Sequence, residues 1–303
     1  MITLAIPNRN GAKYLAQTLA SLCSPQNRPE VRWWLQDCCS SDESLSIAER
    51  FRSGRDVVRS TRDTGQANGL NRAFAEMGGD IIGYINSDDC LVDGAAAAVL
   101  DAFRRHPDAD MVFGGVDWID ENGNVTGHHR GQIYSFEDAL NIYEVWWRKK
   151  QWVQPEVFFR RSLYEAVGGF DEEFSLAFDF DFWLRVLKLR PKVIEIPDTL
   201  VRFRIHSNQR SVDFRSANDE IRRAVWRELR DPNSPLEGSL RSRLRRATSY
   251  DLYCSRSNLS SSRDLTLGRA LLKSPEWLLL PEVRKRVLGS SFRRLHLSSE
   301  TNN

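Results

Sequence analysis

The sequence predicts an α/β fold, with a mainly parallel (mixed) central sheet flanked by helices and a helical C-terminal extension. Three observations predict it. From residue 1 to about 116, short apolar runs alternate with stretches of helical period. The connections between them are short, which argues for parallel strands covered on both faces. From about residue 215 the strand-like runs stop, and an Arg-rich, Ser-rich helical pattern takes over.

Strands are expected at Ile2–Pro7, Val31–Asp37, Val57–Thr61, Asp80–Asn86 and Asp110–Val116. Leu15, Leu19 and Leu22 fall at i, i+4, i+7, as do Leu70, Phe74 and Met77, and each set marks one face of a helix. Ala95–Arg105 reads as a helix behind Asp93, an N-cap type. Glu121-Asn122-Gly123-Asn124 signals a hairpin turn after Val112–Ile119. Ser135–Asp138 opens a helix expected to carry Tyr143, Trp146 and Trp147; Gln154–Arg161 reads as a strand and Asp179–Lys188 as a helix. Lys192–Ile196 and Thr199–His206 are two further strands. In such sheets ligands bind outside the carboxyl ends of the strands, so those ends are where site residues are sought.

Apolar content of 41% and charged content of 28% exclude a disordered or fibrous chain. No apolar run approaches the roughly 20 residues that span a bilayer. Met1–Pro7 lacks a basic flank and a cleavage site, and reads as a first strand and not as a leader. Cys23, Cys38, Cys39, Cys90 and Cys254 show no C-x-x-C spacing, which favours reduced thiols and a cytoplasmic setting. The vicinal Cys38-Cys39 has no His or further Cys nearby and reads as ordinary buried thiols. The net charge of +2 hides an asymmetry: residues 1–213 carry 25 Lys and Arg against 31 Asp and Glu, and residues 214–303 carry 18 against 10.

Three acidic runs stand at expected strand or helix ends. In Asn86-Ser87-Asp88-Asp89, Asn86 and Asp88 point to one face of an extended chain, and Asp89 follows where it turns. Oxygen ligands of this kind suit Mg²⁺ or Mn²⁺, and their alternative use is to cap a turn. Asp37 ends a strand, where a carboxylate can accept from a base N–H; Ser40 and Asp42 are N-cap types for the next helix. Asp179 and Asp181 lie among four aromatic residues, a setting that raises a carboxyl pKa and suits a general base. Asp181 and Arg185 are also placed to pair at i, i+4.

Taken in order, these segments resemble the family-2 glycosyltransferases, over about residues 2–210. The matching stretches are Ile6–Gly11, Asp37–Asp42, Asp63–Asn71, Gly79–Asp89, Gln154-Pro155 with Phe158–Arg161, Val167–Asp171, Asp179–Arg185 and Arg204-Ile205-His206. The resemblance implies the nucleotide-sugar-binding GT-A fold and an inverting transfer to an acceptor hydroxyl. It implies that Pro7 and Asn10, with Asp37 against the base, shape the nucleoside pocket, and that Asp63 and Asn71 line the donor site. Asp88 would bind a divalent cation, Mn²⁺ or Mg²⁺, with Asp89 beside it; Asn86 stands where a first acid is often found, and His206 would face the diphosphate or its metal. Asp179 matches the general base; Phe178 replaces the Glu that often precedes it, so Asp179 and Asp181 compete, with register favouring Asp179. Pro7-Asn8-Arg9-Asn10 departs from the usual P-T-Y-N.

The expected organisation is a catalytic domain over 1–213, with a nucleotide-binding half (1–116) and an acceptor half (117–213), and a basic helical extension over 214–303. The donor would be a nucleotide-diphosphate sugar and the acceptor a sugar, a glycan or a lipid-linked molecule, in surface polysaccharide or glycoconjugate synthesis. Trp277–Leu288 mixes apolar and basic residues, which suits either a packed helix or a peripheral contact with the inner face of a membrane. No nucleic-acid motif accompanies the charge. A nucleotidyltransferase would want a Gly-rich loop after the first strand, and Asn8-Arg9-Asn10-Gly11 is not one. The alternative reading is a catalytically inactive nucleotide-sugar-binding module that serves as a regulatory or scaffold partner, which would bind donor and transfer nothing.

Overall fold

The computed structural model describes residues 1–142, 144–209, 214–256, 267, 270–281, 283–285 and 287. It divides into two compact units: Met1–Leu140 with Glu144–Ala224, and the described residues of Asn141–Tyr143 and Val225–Asn303. The expected boundary at 213 falls on residues outside the described ones.

The first unit opens with β1 (Ile2–Asn8), α1 (Ala12–Leu22), β2 (Val31–Asp37), α2 (Ser44–Phe51), β3 (Val57–Ser60), α3 (Gln66–Glu76) and β4 (Ile81–Tyr84). β1 pairs in parallel with β2 and β4, and β2 with β3. The carboxyl ends of β1 and β2 therefore emerge side by side, with Asn8 opposite Asp37. Alternate residues of β1, Ile2, Leu4 and Ile6, pack with Leu15, Leu19 and Leu22 of α1 and Ile47 and Ala48 of α2. Burial of both strand faces is why β1 reads as a continuous apolar run.

The unit continues through β5 (Cys90–Leu91), α4 (Ala95–Arg105), β6 (Met111–Ile119), β7 (Val125–Arg130), α5 (Phe136–Leu140), β8 (Val157–Arg160), α6 (Arg161–Ala166), α7 (Phe178–Lys188) and β9 (Val193–Arg204). The strand order is β3-β2-β1-β4-β8-β6-β9-β5, with β7 on β6. β8 is antiparallel to both β4 and β6, whereas β6 and β9 are parallel, so the sheet is mixed.

Four local expectations change. The cap of α4 is Gly94 in the left-handed region (φ +80°), and Asp93 makes no side-chain cap. α5 stops at Leu140, so Trp146 and Trp147 lie in a turn, and Tyr143 lies outside the described residues. Gln154–Glu156 forms a 3₁₀ turn before β8, since Pro155 has no N–H for a ladder. The two late strands are one, β9, which carries Pro197 through a register shift opposite Gly114. A Cβ on Gly114 would lie 2.6 Å from the Asp198 carbonyl, so only glycine lets the two chains approach there.

The second unit contains the C-terminal end of α8 (Phe214–Arg230), α9 (Gly238–Arg256) and a 3₁₀ turn over Pro275–Leu279. Its core is Tyr250, Leu267, Trp277, Leu280 and Val283. Of the apolar run in the basic segment, Trp277 and Leu280 turn inward while Leu278 and Leu279 are exposed. Glu282, Arg286 and Leu288 of that segment lie outside the described residues. No helix among the described residues is long and apolar enough to cross a membrane.

Candidate active site

The loops that leave β1 and β2 are laced together by side chains neither strand could satisfy alone. Asp37 is fully buried, and its carboxylate accepts from Asn8 Nδ2 (2.8 Å), the Ser40 amide (3.0 Å), Ser60 Oγ (2.7 Å) and Ser40 Oγ. Those four donors fill the four lone-pair positions of a carboxylate. Asn10, left-handed at φ +52°, donates its N–H to Ser40 Oγ and accepts from the Ser41 amide through Oδ1. Asp42 accepts from the Ala12 amide at the start of α1 and from the Ser44 amide at the start of α2. A Cβ on Gly11 would lie 2.8 Å from Ser87 Oγ, so this lacework abuts the acidic loop after β4.

That loop presents one acid and buries another. The Asp88 carboxylate, 27% exposed, meets His206 Nε2 at 2.9 Å. Asp89 is buried: Oδ1 accepts the Arg204 amide (3.0 Å) and Oδ2 accepts Asn86 Nδ2 (3.1 Å). Burial first, and the neighbouring Asp88 charge second, push the Asp89 carboxyl well above the usual carboxylate range. Asn86 Oδ1 in turn accepts from Gln66. Arg204, 1% exposed, donates from Nε to the Asp88 carbonyl, from Nη1 to the carbonyls of Asp120 and Glu121, and from Nη2 to Gln17. One guanidinium thereby ties the acidic loop to the β6–β7 hairpin and to α1.

α7 separates its two acids by environment. Asp181 is fully buried and pairs with Arg185 at 2.8 Å, one turn on. Asp179 is only partly buried; its Oδ1 accepts the Phe180 amide, and burial pushes its pKa up to about 6. The Tyr84 hydroxyl at the end of β4 is raised by burial, then by the charges of Asp179 and Asp89, and Phe178, the neighbour of Asp179, brings the start of α7 onto its buried ring. Phe170 and Phe178 wall that ring. Because Asp181 is fully buried and Arg185 is its cationic partner, Arg185→Ala should lower stability by about 3–5 kcal/mol, since it removes the positive charge that offsets a buried carboxylate. A urea midpoint unchanged from wild type would refute that.

The site residues expected from sequence therefore sort by what their atoms are doing. Asp88 and Asp179 stay partly exposed, and His206, its side chain 9% exposed, has Nε2 against Asp88 and accepts the Asn208 amide through Nδ1; Pro7, Asn10 and Asp63 stay partly or fully exposed, with Asp63 Oδ1 accepting from Gly65. Asp37, Asn86, Asp89 and Asp181 are engaged with the protein itself. So is Asn71, expected to line the donor site: it bonds both the amide and carbonyl of Phe170 and the Tyr164 hydroxyl, latching the Gly168-Gly169 turn. Sequence reasoning gave no role to Arg204, Tyr84 or Glu220. Arg204 belongs to one of the matching stretches, but nothing in a single chain position marks a guanidinium that reaches Asp88, Asp120, Glu121, Gln17 and the Cys90 thiol. Gln154 is 7% exposed, and neither amide atom has a hydrogen-bond partner among the described residues.

Comparison with known proteins places this geometry. Residues 3–168 match the Glycosyl transferase family 2 description, so Asp179, His206 and Glu220 lie beyond the matched stretch. Chondroitin synthase of Escherichia coli is 25% identical over 194 residues, which cover 63% of this chain and 27% of that one. The chain spans half the length or less of the curated relatives it matches first. TarS of S. aureus (residues 1–349), in complex with UDP-GlcNAc, superposes with a TM-score of 0.63 at 17% identity, covering 91% of this chain and 78% of that one. The mannosyltransferase PcManGT of Pyrobaculum calidifontis, in complex with GDP-Man and Mn²⁺, gives 0.57 at 15% identity, covering 95% and 83%. These likenesses establish the GT-A fold, and the match over 3–168 establishes that the chain belongs to glycosyl transferase family 2.

Proposed function

We propose that this chain is an inverting glycosyltransferase that moves a sugar from a nucleotide-diphosphate sugar to a hydroxyl of a sugar, glycan or lipid-linked acceptor, with a divalent cation. The observation that carries the reading is the pairing of a partly exposed Asp88, held by His206 on the loop after β4, with Asp179, pushed up to about 6, at the start of α7, where Phe178 stacks on Tyr84 at the end of β4. UDP-GlcNAc in the TarS structure and GDP-Man with Mn²⁺ in the mannosyltransferase support a nucleotide-sugar donor and a cation. The chondroitin synthase match supports polysaccharide or glycoconjugate synthesis.

The residues fit a hard or borderline cation. Asp88 offers a carboxylate oxygen and His206 an imidazole nitrogen, while Asp89 is held by Arg204 and Asn86. No group of three His, Cys, Asp or Glu side chains suited to a metal occurs among the described residues, so donor phosphate oxygens are needed to complete the set. A cation held by Asp88 and His206 would neutralise charge developing on the diphosphate leaving group. Asp37, Asn8 and Ser40 fix the loop ends against which Pro7, Asn10 and Asp63 would meet the nucleoside. Asp179 takes the proton of the acceptor hydroxyl; its Oδ2 serves, since Oδ1 is held by the Phe180 amide. A retaining double displacement uses two closely spaced free carboxyl groups, and Asp181 is committed to Arg185. One base acting opposite the leaving group inverts the anomeric centre.

The exposed Leu272, Leu278 and Leu279, near Lys273, Arg284 and Lys285, suit a peripheral contact with an anionic lipid surface on the cytoplasmic side. The test of function is a thermal-shift panel of nucleotide sugars with and without Mn²⁺ or Mg²⁺, followed by assay of transfer. Cation and nucleotide are expected to stabilise far more together than separately. A donor that binds but is never turned over with any acceptor would leave only the binding module, and a product of retained configuration would sink inversion.

A further inference from the structure

α7 starts with Ala177 in the cap position, and an alanine side chain has no oxygen for the open amides of a helix start. The Phe180 amide is taken by Asp179 itself, and the stretch that leads into the helix is held from another helix. The Glu220 carboxylate on α8 accepts the N–H of Ser175 (3.1 Å), Leu176 (2.8 Å) and Ala177 (2.8 Å), and the Ser175 hydroxyl (2.8 Å). Arg223, three residues on and so on the same helix face, donates to the Glu173 carbonyl at 2.7 Å and lies 4.2 Å over the Phe174 ring. Two side chains of α8 thus grip the whole 173–177 stretch, and Asp179 follows two residues after the last gripped amide.

Resting on the reading of Asp179 as the base, we propose that Glu220 is a positioning residue for the transfer: by holding the 175–177 stretch that leads into α7 it holds Asp179 against the acceptor. Burial opposes the Glu220 charge, but the bonds from Ala177, Leu176 and Ser175 keep its carboxyl below the usual range. It is therefore ionised where Asp179 titrates, and after burial its charge is a further cause of the raised Asp179 value. Among the described residues Tyr84 on β4, whose ring meets Phe178, also feels the Asp179 charge. A misplacement of about 1 Å at such a group can cost on the order of 10²-fold in rate.

The experiment compares Glu220→Gln, Glu220→Asp and Ser175→Ala with wild type by hydrogen exchange at residues 175–177 and by carboxyl-carbon NMR titration of Asp179. It adds kcat and KM on the donor identified by the screen. Glu220→Gln is expected to exchange those amides at least about tenfold faster. It should shift the Asp179 midpoint to lower pH, because a negative neighbour is gone. It should also lower kcat about 10–100-fold, with donor KM within about twofold. Glu220→Asp keeps the charge and should recover part of each effect; Ser175→Ala, which removes one bond of four, should move them least. Unchanged exchange and an unmoved Asp179 titration in Glu220→Gln would overturn the proposal, as would an unchanged kcat. If Asp179→Asn stays active, the base reading itself fails. If Asp179→Asn is inactive while Glu220→Gln is fully active, only the positioning role fails.

Discussion

Asp179→Asn is expected to reduce sugar transfer by about 10²–10⁴-fold while leaving donor binding intact, the usual span for removal of a general base. With the carboxyl pushed up to about 6, wild-type kcat should rise with pH through about 6 and level off above it. The same shift bears on stability with a definite sign. The folded value lies above the ordinary 3.8, so the folded state binds the proton more tightly than the unfolded chain, and Asp179 costs stability as pH rises from about 4 through about 6. At pH 8 the cost is fully present, and Asp179→Asn should stabilise the protein by on the order of 1–3 kcal/mol. Loss of turnover joined to a higher melting temperature separates a catalytic acid from a structural one. Retained turnover, or a pH profile flat between 5 and 8, would remove Asp179 from the reaction.

Asp88→Ala is expected to lower turnover by at least about 10²-fold and to abolish the extra stabilisation that cation and nucleotide give together. Its carboxylate is 27% exposed and its partner is His206, so the variant should fold normally. Asp89→Ala should do the reverse: it empties a buried acceptor beneath the Arg204 amide and so acts first on stability, at about 1–3 kcal/mol or more. Titration calorimetry with Mn²⁺ in the presence of the bound nucleotide reads the difference. An Asp88→Ala protein with wild-type cation dependence would move the metal site elsewhere.

These contrasts also show where sequence reading was reliable. β1 through β4 and the helices between them were legible because period-two and period-3.6 patterns are local records of burial. The order of acidic motifs pointed correctly to family and fold. Errors came where a backbone problem was solved at a distance. Gly94, not Asp93, caps α4, and β9 runs on through Pro197 because Gly114 on its neighbour admits the irregularity.

The sequence by itself determined the α/β layout, the family and the set of acids from which a site is drawn. Only the tertiary structure separated those acids: Asp88 open beside His206 from Asp89 sealed under Arg204, and Asp179 raised near neutrality from Asp181 paired with Arg185. A carboxylate's role depends on which donors reach it and how much water remains. Those partners come from as far away as 118 residues, for His206, and 45, for Glu220 and Ser175. Adjacent acids look alike in a chain and become different chemical groups only once folding has allotted their hydrogen bonds.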